Sequence, residues 1–393
     1  MLKQTVRDVE VTGKRVLVRV DFNVPLENGG ISDDRRIREA LPTIRYLIER
    51  DARVILCSHL GRPKGRVVED LRLDPVGARL GELLNRPVRK MREVVGPDVE
   101  AAVAALAPGE ILLLENLRFE AGEEANDPAL ARRLAALADL YVNDAFGTAH
   151  RAHASTVGVA GYLRAVAGLL MEKELQFLGA LLERPARPFV AILGGKKVED
   201  KIPVIRHLMD IADTLLLGGA MSYTFLRARG LEVGRSLVEP EMLDLAGELV
   251  ADAARREVGL ELPVDVVVAE RPEAGAPFHV APVEAIPPQW MGVDIGPRTR
   301  ARFIEVLRGA RTIFWNGPMG IFEIDAFAEG TRALARALAE STATTVVGGG
   351  DTAAAVEEVG VADRMTHIST GGGASLEFME GRVLPGVAVL GDR

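Results

Sequence analysis

The stretch "TTVVGGGDTAAAVEEVG", residues 344–360, decides the fold: a β-branched apolar run enters three glycines and then an alanine-rich segment that opens a helix. A strand that ends in glycine and turns straight into a helix gathers free backbone N–H groups where a phosphate can approach the main chain. A P-loop would read G-x-x-x-x-G-K-[ST], and the chain contains no such pattern. The charge of a nucleotide held here has to be met by residues from other parts of the chain.

The same grammar recurs outward from this stretch. Short β-branched or leucine-rich runs alternate with longer helical patterns along all 393 residues, which predicts repeated βαβ units and parallel sheets covered on both faces. The length fits two domains. In such sheets ligands collect at the carboxyl ends of strands, so the residues that follow each run carry the information.

Those residues differ between the halves. In the second half the runs "PFVAILGGKK", "TLLLGGAM", "TTVVGGGDT" and "HISTGGGAS" end in glycine, and "RTIFWNGPMGIFE" ends in Asn316, Gly317 and Pro318. Their unequal intervals exclude a fixed-period solenoid. In the first half "RVLVRVDFNVP", "RVILCSHLGRP", "EILLLENLRFE" and "DLYVNDAFGTAHRAH" deliver Asp21, Asn23, His59, Arg62, Arg118 and Arg151 toward one edge. Arg36 joins them from the first turn of "SDDRRIREALPTIRYLIER", where Ile37, Leu41, Ile44 and Ile48 keep helical spacing and Ser32 is the expected N-cap.

Between the halves, "GLLMEKELQFLGALLERPARP" places Leu170, Leu175, Leu178 and Leu182 near helical spacing and is stopped by Pro185 and Pro188. This predicts a domain at 1–168, a bridging helix at 169–185 and a second domain at 186–379. The remainder, 380–393, is too short to be a domain and is expected to fold back onto the first.

The net charge of −8 argues against general attraction to nucleic acid or an anionic membrane, so any anion binding is local. The single cysteine, Cys57, sits inside an apolar run and reads as a buried structural thiol in a reducing compartment. No signal peptide and no membrane-spanning run is expected, which points to a cytoplasmic protein. Of 48 basic residues only Lys3, Lys14, Lys64, Lys90, Lys173, Lys196, Lys197 and Lys201 are lysine, and three of these fall within "GGKKVEDK".

Several guanidinium forks converging from separate strand ends imply a small substrate with more than one negative charge. His59, beside Gly61 and Arg62, reads either as a core histidine or as a phosphate donor. Asp21 and Asn23 suit a hydroxyl. "GGGDTA" also matches a dinucleotide fingerprint, but the next strand, "RMTHIST", ends in Ser369 and Thr370 rather than an acid. An NAD-dependent dehydrogenase and a non-catalytic two-domain anion-binding protein therefore remain as alternatives. Asp351 at the mouth of the glycine run suits a magnesium ligand. The cation missing from the glycine turn comes from another strand, through Lys197 and Lys201.

Taken together with "LGGKKVEDKI", "WMGVDIGP", "FWNGPMGIFE" and "YVNDAFGTAHRAHAST", these motifs make the chain resemble the phosphoglycerate kinase family over essentially its full length. The resemblance implies two Rossmann-like α/β domains facing across a cleft, the first for 3-phosphoglycerate and the second for ATP or ADP with Mg2+. By position it implies an acceptor site of Asp21, Asn23, Arg36, His59, Arg62, Arg118 and Arg151. The implied nucleotide site is Lys197, Lys201, Gly219, Gly292, Asn316, Glu323, Gly349, Gly350, Asp351 and Thr352. It gives Arg36, Lys197 and Gly371, Gly372 and Gly373 to the transferred group, and it implies a monomer. Lys196, where the family usually has a small residue, and "PPQWMG" depart from the pattern without removing any of these groups.

Overall fold

Each apolar run named above is a strand in the computed structural model, which describes residues 2–27 and 29–393. The chain divides into two units: the first runs to Gln176 and takes in Val383–Arg393, and the second is Phe177–Arg382.

The first unit is built on a six-stranded sheet of β1 (Arg15–Arg19), β2 (Arg53–Cys57), β3 (Arg89–Lys90), β4 (Ile111–Leu113), β5 (Leu140–Asn143) and β6 (Ala165–Ala167), in the spatial order β3-β4-β2-β1-β5-β6. Every pairing is parallel. Parallel strands need crossovers, and helices fill them on both faces, so β1, β2 and β5 are buried along almost their whole length. Val16, Val18, Val54, Leu56 and Val142 form one core with Ile37 and Ile44 of the helix Arg35–Ile48. Full burial of each such side chain contributes about 2 kcal/mol. Cys57 is part of this interior, and burial pushes its thiol up to about 12, which makes it inert.

The helix begins at Arg35, two residues later than Ser32 as N-cap would require. Ser32 instead leaves a two-stranded hairpin, Leu26–Glu27 with Gly30–Ile31, and its N–H donates to the Pro25 carbonyl at 3.2 Å. The N-cap residue, Asp34, has its carboxylate committed to Arg38 (2.7 Å) and Arg79 (2.8 Å), so Asp33 takes the Arg35 N–H at 2.8 Å.

The second unit carries β7 (Phe189–Leu193), β8 (Thr214–Leu217), β9 (Gly259–Glu261), β10 (Thr312–Asn316), β11 (Thr344–Gly348) and β12 (His367–Ile368), in the order β9-β8-β7-β10-β11-β12. This is the doubly wound order whose switch point lies between β7 and β10. Ile192, Trp315 and Val347 pack there with Leu334 and Leu338. A separate three-stranded antiparallel sheet, Phe278–Pro282, Asp265–Ala269 and Met291–Ile295, covers its own apolar cluster around Val267, Val293 and Phe327.

Helix Leu169–Glu183 spans the boundary between the units. Its first turn is anchored in the first unit by the fully buried Asp144, which accepts from the Leu170 and Met171 N–H groups at 2.9 and 3.2 Å, and by Thr43 Oγ1, which accepts from Leu169 N–H at 2.8 Å. The C-terminal segment joins the same unit: Gly391 N–H donates to Ala165 O at 3.0 Å, and Asn143 Nδ2 donates to Gly386 O at 3.1 Å. Among the described residues no helix is long and apolar enough to cross a membrane.

Candidate active site

The polar residues after β1, β2, β4 and β5 occupy one edge of the first sheet because all four strands run the same way. Arg36 donates through Nη1 to Asp21 Oδ2 at 3.0 Å and to the Asn23 carbonyl at 3.3 Å. Asn23 Oδ1 accepts the Gly61 N–H at 2.8 Å, and Arg118 Nη1 donates to the Gly61 carbonyl at 2.7 Å. Loop 58–63 is therefore clamped from both sides. Asn116 adds to the clamp, with Nδ2 donating to Leu60 O at 2.8 Å and Oδ1 accepting from Leu60 N–H at 3.2 Å. Arg151 Nε donates to His150 Nε2 at 3.1 Å, and Arg62 and Arg151 are exposed.

The electrostatics of this group ask for an anion. Arg118 is held below the usual guanidinium range by burial, with Glu124 opposing and Arg19 and Arg151 adding to the depression. His59 is pushed well below the ordinary imidazole value by burial and then by Arg19, Arg118, Arg36 and His153, so it is neutral at pH 7. Arg36 keeps an ion pair with Asp21 at 3.0 Å and Arg118 one with Glu124 at 3.4 Å, yet the exposed forks at this edge leave donors that a phosphate or carboxylate fits.

Beneath this surface lies a buried set that the sequence reading missed. Arg19, fully buried at the end of β1, donates through Nε to Ser155 Oγ at 2.9 Å and through Nη1 to the Val20 carbonyl, and its Nη2 meets His59 Nδ1 at 3.1 Å. Ser155 Oγ in turn donates to the buried Glu123 at 2.5 Å. An arginine inside the apolar run of a central parallel strand was the available signal for Arg19. Glu123 lies in a stretch that no motif marks, and Ser155, though inside "YVNDAFGTAHRAHAST", carries no sign of its own.

In the second unit Lys201 Nζ bonds Asn316 Oδ1, and burial lowers its basicity against the opposing charges of Asp200, Asp351 and Glu380. Lys201 and the end of β10 are thus joined across the switch point. Thr352 Oγ1 accepts the Gly317 N–H at 2.7 Å, which ties the helix Gly350–Glu358 to the same turn. Lys197 is exposed, with no hydrogen bond or ion pair among the described residues, whereas Lys196 lines the cavity described next.

That cavity, about 590 Å³, is walled by Gly219, Tyr223, Met291, Gly292 and Met319, with Glu323 and Asp351 at its polar margin. Its size and apolar lining suit a nucleoside. The glycines around it are of two kinds. A Cβ on Gly194 would meet the Pro318 carbonyl at 2.1 Å and one on Gly317 the Gly194 carbonyl at 2.2 Å, so these two let β7 and β10 touch main chain to main chain. Gly350 and Gly373, each the first residue of a helix, meet nothing within 4 Å, and neither has a positive φ, so nothing in the fold requires glycine there. Of the three glycines after β12, Gly371 already gives its N–H to Ser369 Oγ at 3.1 Å.

Among the described residues no three His, Cys, Asp or Glu side chains gather to hold a metal ion. Asp351 offers one carboxylate at the second position of its helix, which fits a Mg2+ ion that arrives on phosphate oxygens rather than a resident metal.

A model of the family described as phosphoglycerate kinase matches residues 6–382. The phosphoglycerate kinases of Pelotomaculum thermopropionicum and Moorella thermoacetica are 61% and 60% identical over 393 residues, covering all of this chain and all of each relative. Among solved structures, the phosphoglycerate kinase of Coxiella burnetii superposes with a TM-score of 0.90 at 44% identity, and that of Pyrococcus horikoshii with 0.87 at 35%, each covering 98% of both chains. With a doubly wound sheet behind each site and matches that run the length of the chain, the protein belongs to the phosphoglycerate kinase family.

Proposed function

We propose that the first unit's cationic edge holds 3-phosphoglycerate and the second unit's cavity holds Mg2+-ATP or ADP. The enzyme is a phosphotransferase of the phosphoglycerate kinase class, which works on 3-phosphoglycerate and ATP. The single observation that carries the placement is the split in charge and shape: arginines gathered at one sheet edge in the first unit, and a nucleoside-sized cavity with Lys196 and Asp351 in its lining in the second.

The chemistry then needs no general base. The acceptor carboxylate is ionised at neutral pH; its oxygen bonds the γ-phosphorus as the bridge to the β-phosphate breaks, and the electron pair leaves on ADP. No proton moves. The obstacle is repulsion between two anions, so catalysis is positioning and electrostatic stabilisation. Arg36 is assigned to the acceptor carboxylate and the moving phosphoryl, because Asp21 and Asn23 engage only Nη1 and aim the fork. Lys197 and the amides of Gly372 and Gly373 are assigned to the same group from the nucleotide side, with Gly371 shaping the turn. His59, Arg62, Arg118 and Arg151 are assigned to the acceptor's phosphate, Asp21 and Asn23 to its hydroxyl, and Glu323 to the ribose. Gly219 and Gly292 face the base, while Lys201, Asn316 and Gly349–Thr352 face the phosphates.

Acyl phosphates hydrolyse readily, so water has to be kept out while the two anions meet. A motion of one unit relative to the other, hinged at the ends of Leu169–Glu183, is the proposed means. The same reading makes the enzyme a cytoplasmic monomer, and its charge of −8 supports the absence of nucleic acid and membrane partners.

The test is ATP-dependent formation of 1,3-bisphosphoglycerate, trapped by a coupled dehydrogenase, with and without Mg2+. Product that requires ATP, 3-phosphoglycerate and Mg2+ together is expected. Product without added metal after chelation, or none with all three present, contradicts the reading.

A further inference from the structure

We propose that Arg19 is a positioning residue for the acceptor site: it fixes His59 in the tautomer that carries its proton on Nε2. The inference deepens the reading above, in which His59 meets the acceptor's phosphate.

Arg19 is fully buried, and its three donor directions are used at once, on Ser155, on its neighbour's carbonyl and on His59 Nδ1. A guanidinium offers hydrogens only, so the ring nitrogen 3.1 Å away has to present a lone pair. The opposite tautomer would set a donor against a donor. The one carboxylate near Nδ1 is Asp21, whose Oδ1 stands 3.9 Å away, beyond hydrogen-bond reach, and already accepts the Asn23 N–H at 3.2 Å. Its other oxygen is occupied by Arg36. Among the described residues Nε2 has no partner, and the ring is only 4% exposed.

Around His59 stand Arg19, Arg118, Arg36 and His153 as cationic or potentially cationic groups, and Asp21 as the nearby anion. Charging the ring against three arginines is unfavourable, so it serves as a neutral donor with a single hydrogen. Arg19 in turn is balanced through Ser155 by Glu123, whose two oxygens accept from Ser155 Oγ at 2.5 Å and Ser155 N–H at 3.0 Å. Lysine cannot replace this arrangement, because one ammonium cannot meet three acceptors held in the plane of a fork. The result is a phosphate contact with one defined hydrogen, chosen from beneath by a residue that need not touch the ligand.

The test is long-range 1H–15N correlation of the imidazole rings in protein labelled at histidine, with His59 assigned by the signals lost in His59→Gln. In the free parent enzyme His59 is expected neutral at pH 7, Nδ1 bare and Nε2 protonated. A charged ring, or one protonated on Nδ1, overturns the proposal without any variant having to fold. In Arg19→Met combined with Glu123→Gln, which removes both buried charges, the two tautomers are expected to mix and KM for 3-phosphoglycerate to rise about tenfold with nucleotide KM unchanged. An unmixed Nε2–H signal in the double variant shows that Arg19 does not set the tautomer. If the tautomer behaves as stated but His59→Ala leaves 3-phosphoglycerate affinity unchanged, the phosphate role of His59 fails instead, and the two failures are told apart.

Discussion

Arg36 shows how much one side chain decides here. Its fork is aimed by Asp21 and Asn23 through a single nitrogen, and the remaining N–H groups have no partner among the described residues. A preorganised donor of this kind typically accounts for two to three powers of ten in rate. Arg36→Ala is expected to lower kcat by at least about 100-fold while the Kd for Mg2+-ADP, measured calorimetrically, stays within about twofold. Because the change strips Asp21 of its partner, Arg36→Lys serves as a folded control that keeps the charge and loses the fork. Turnover within threefold of the parent in Arg36→Ala would remove Arg36 from the mechanism. Asp21, Asn23, His59, Arg62, Arg118 and Arg151 were legible as members of this edge because each lies in the loop that follows an apolar run, and Arg36 because it opens the next helical pattern. Arg19, Glu123 and Ser155 were not, since their roles come from meeting one another across 136 and 32 positions of sequence, which no local pattern records.

At the scale of elements, strand ends were legible and helix starts less so. The five runs that end in glycine or asparagine all lie in one sheet, and the four that end in polar groups lie in the other. The physical reason is alternation of apolar runs with helical crossovers, which leaves parallel sheets as the one arrangement that buries both faces. Gly194 and Gly317, which end two of these runs without having been assigned to the site, are glycine because two strand ends touch. Ser32 was misplaced as a cap because a serine before a helical pattern carries no sign that a hairpin holds it.

The start of the bridging helix holds a further device. Asp144 is fully buried there, its Oδ2 has no hydrogen-bond partner among the described residues, and a Cβ on Gly168 would lie 2.1 Å from its Oδ1. Burial pushes this carboxyl up to about 7 against the Thr43 hydroxyl and the helix N–H groups, which favour its charge. A folded value raised above the unfolded one means that the stabilising contribution is complete below about pH 4 and is lost as pH rises toward about 7. Asp144→Asn removes that titration. Its Tm, less the parent's, is therefore expected to increase as pH rises from about 5 to 8, through a shift worth on the order of 4 kcal/mol at most. A difference that stays flat with pH contradicts the titration.

For the whole molecule, the claim is that one chain keeps two anions on separate units and lets arginine, lysine and backbone N–H groups bring their charges together. The two vocabularies of strand ends were visible in the sequence, one in each unit, and the units divide between Gln176 and Phe177, inside a helix whose apolar spacing continues through that point. Hydrogen exchange read by mass spectrometry, with 3-phosphoglycerate and Mg2+-ADP added separately, tests this claim most directly. The account predicts that 3-phosphoglycerate slows exchange around residues 20–24, 58–63 and 148–152 alone, and that Mg2+-ADP slows it around 194–202, 218–223, 290–293 and 348–353 alone. Protection of the second unit's segments by 3-phosphoglycerate, or of the first unit's by Mg2+-ADP, would contradict it.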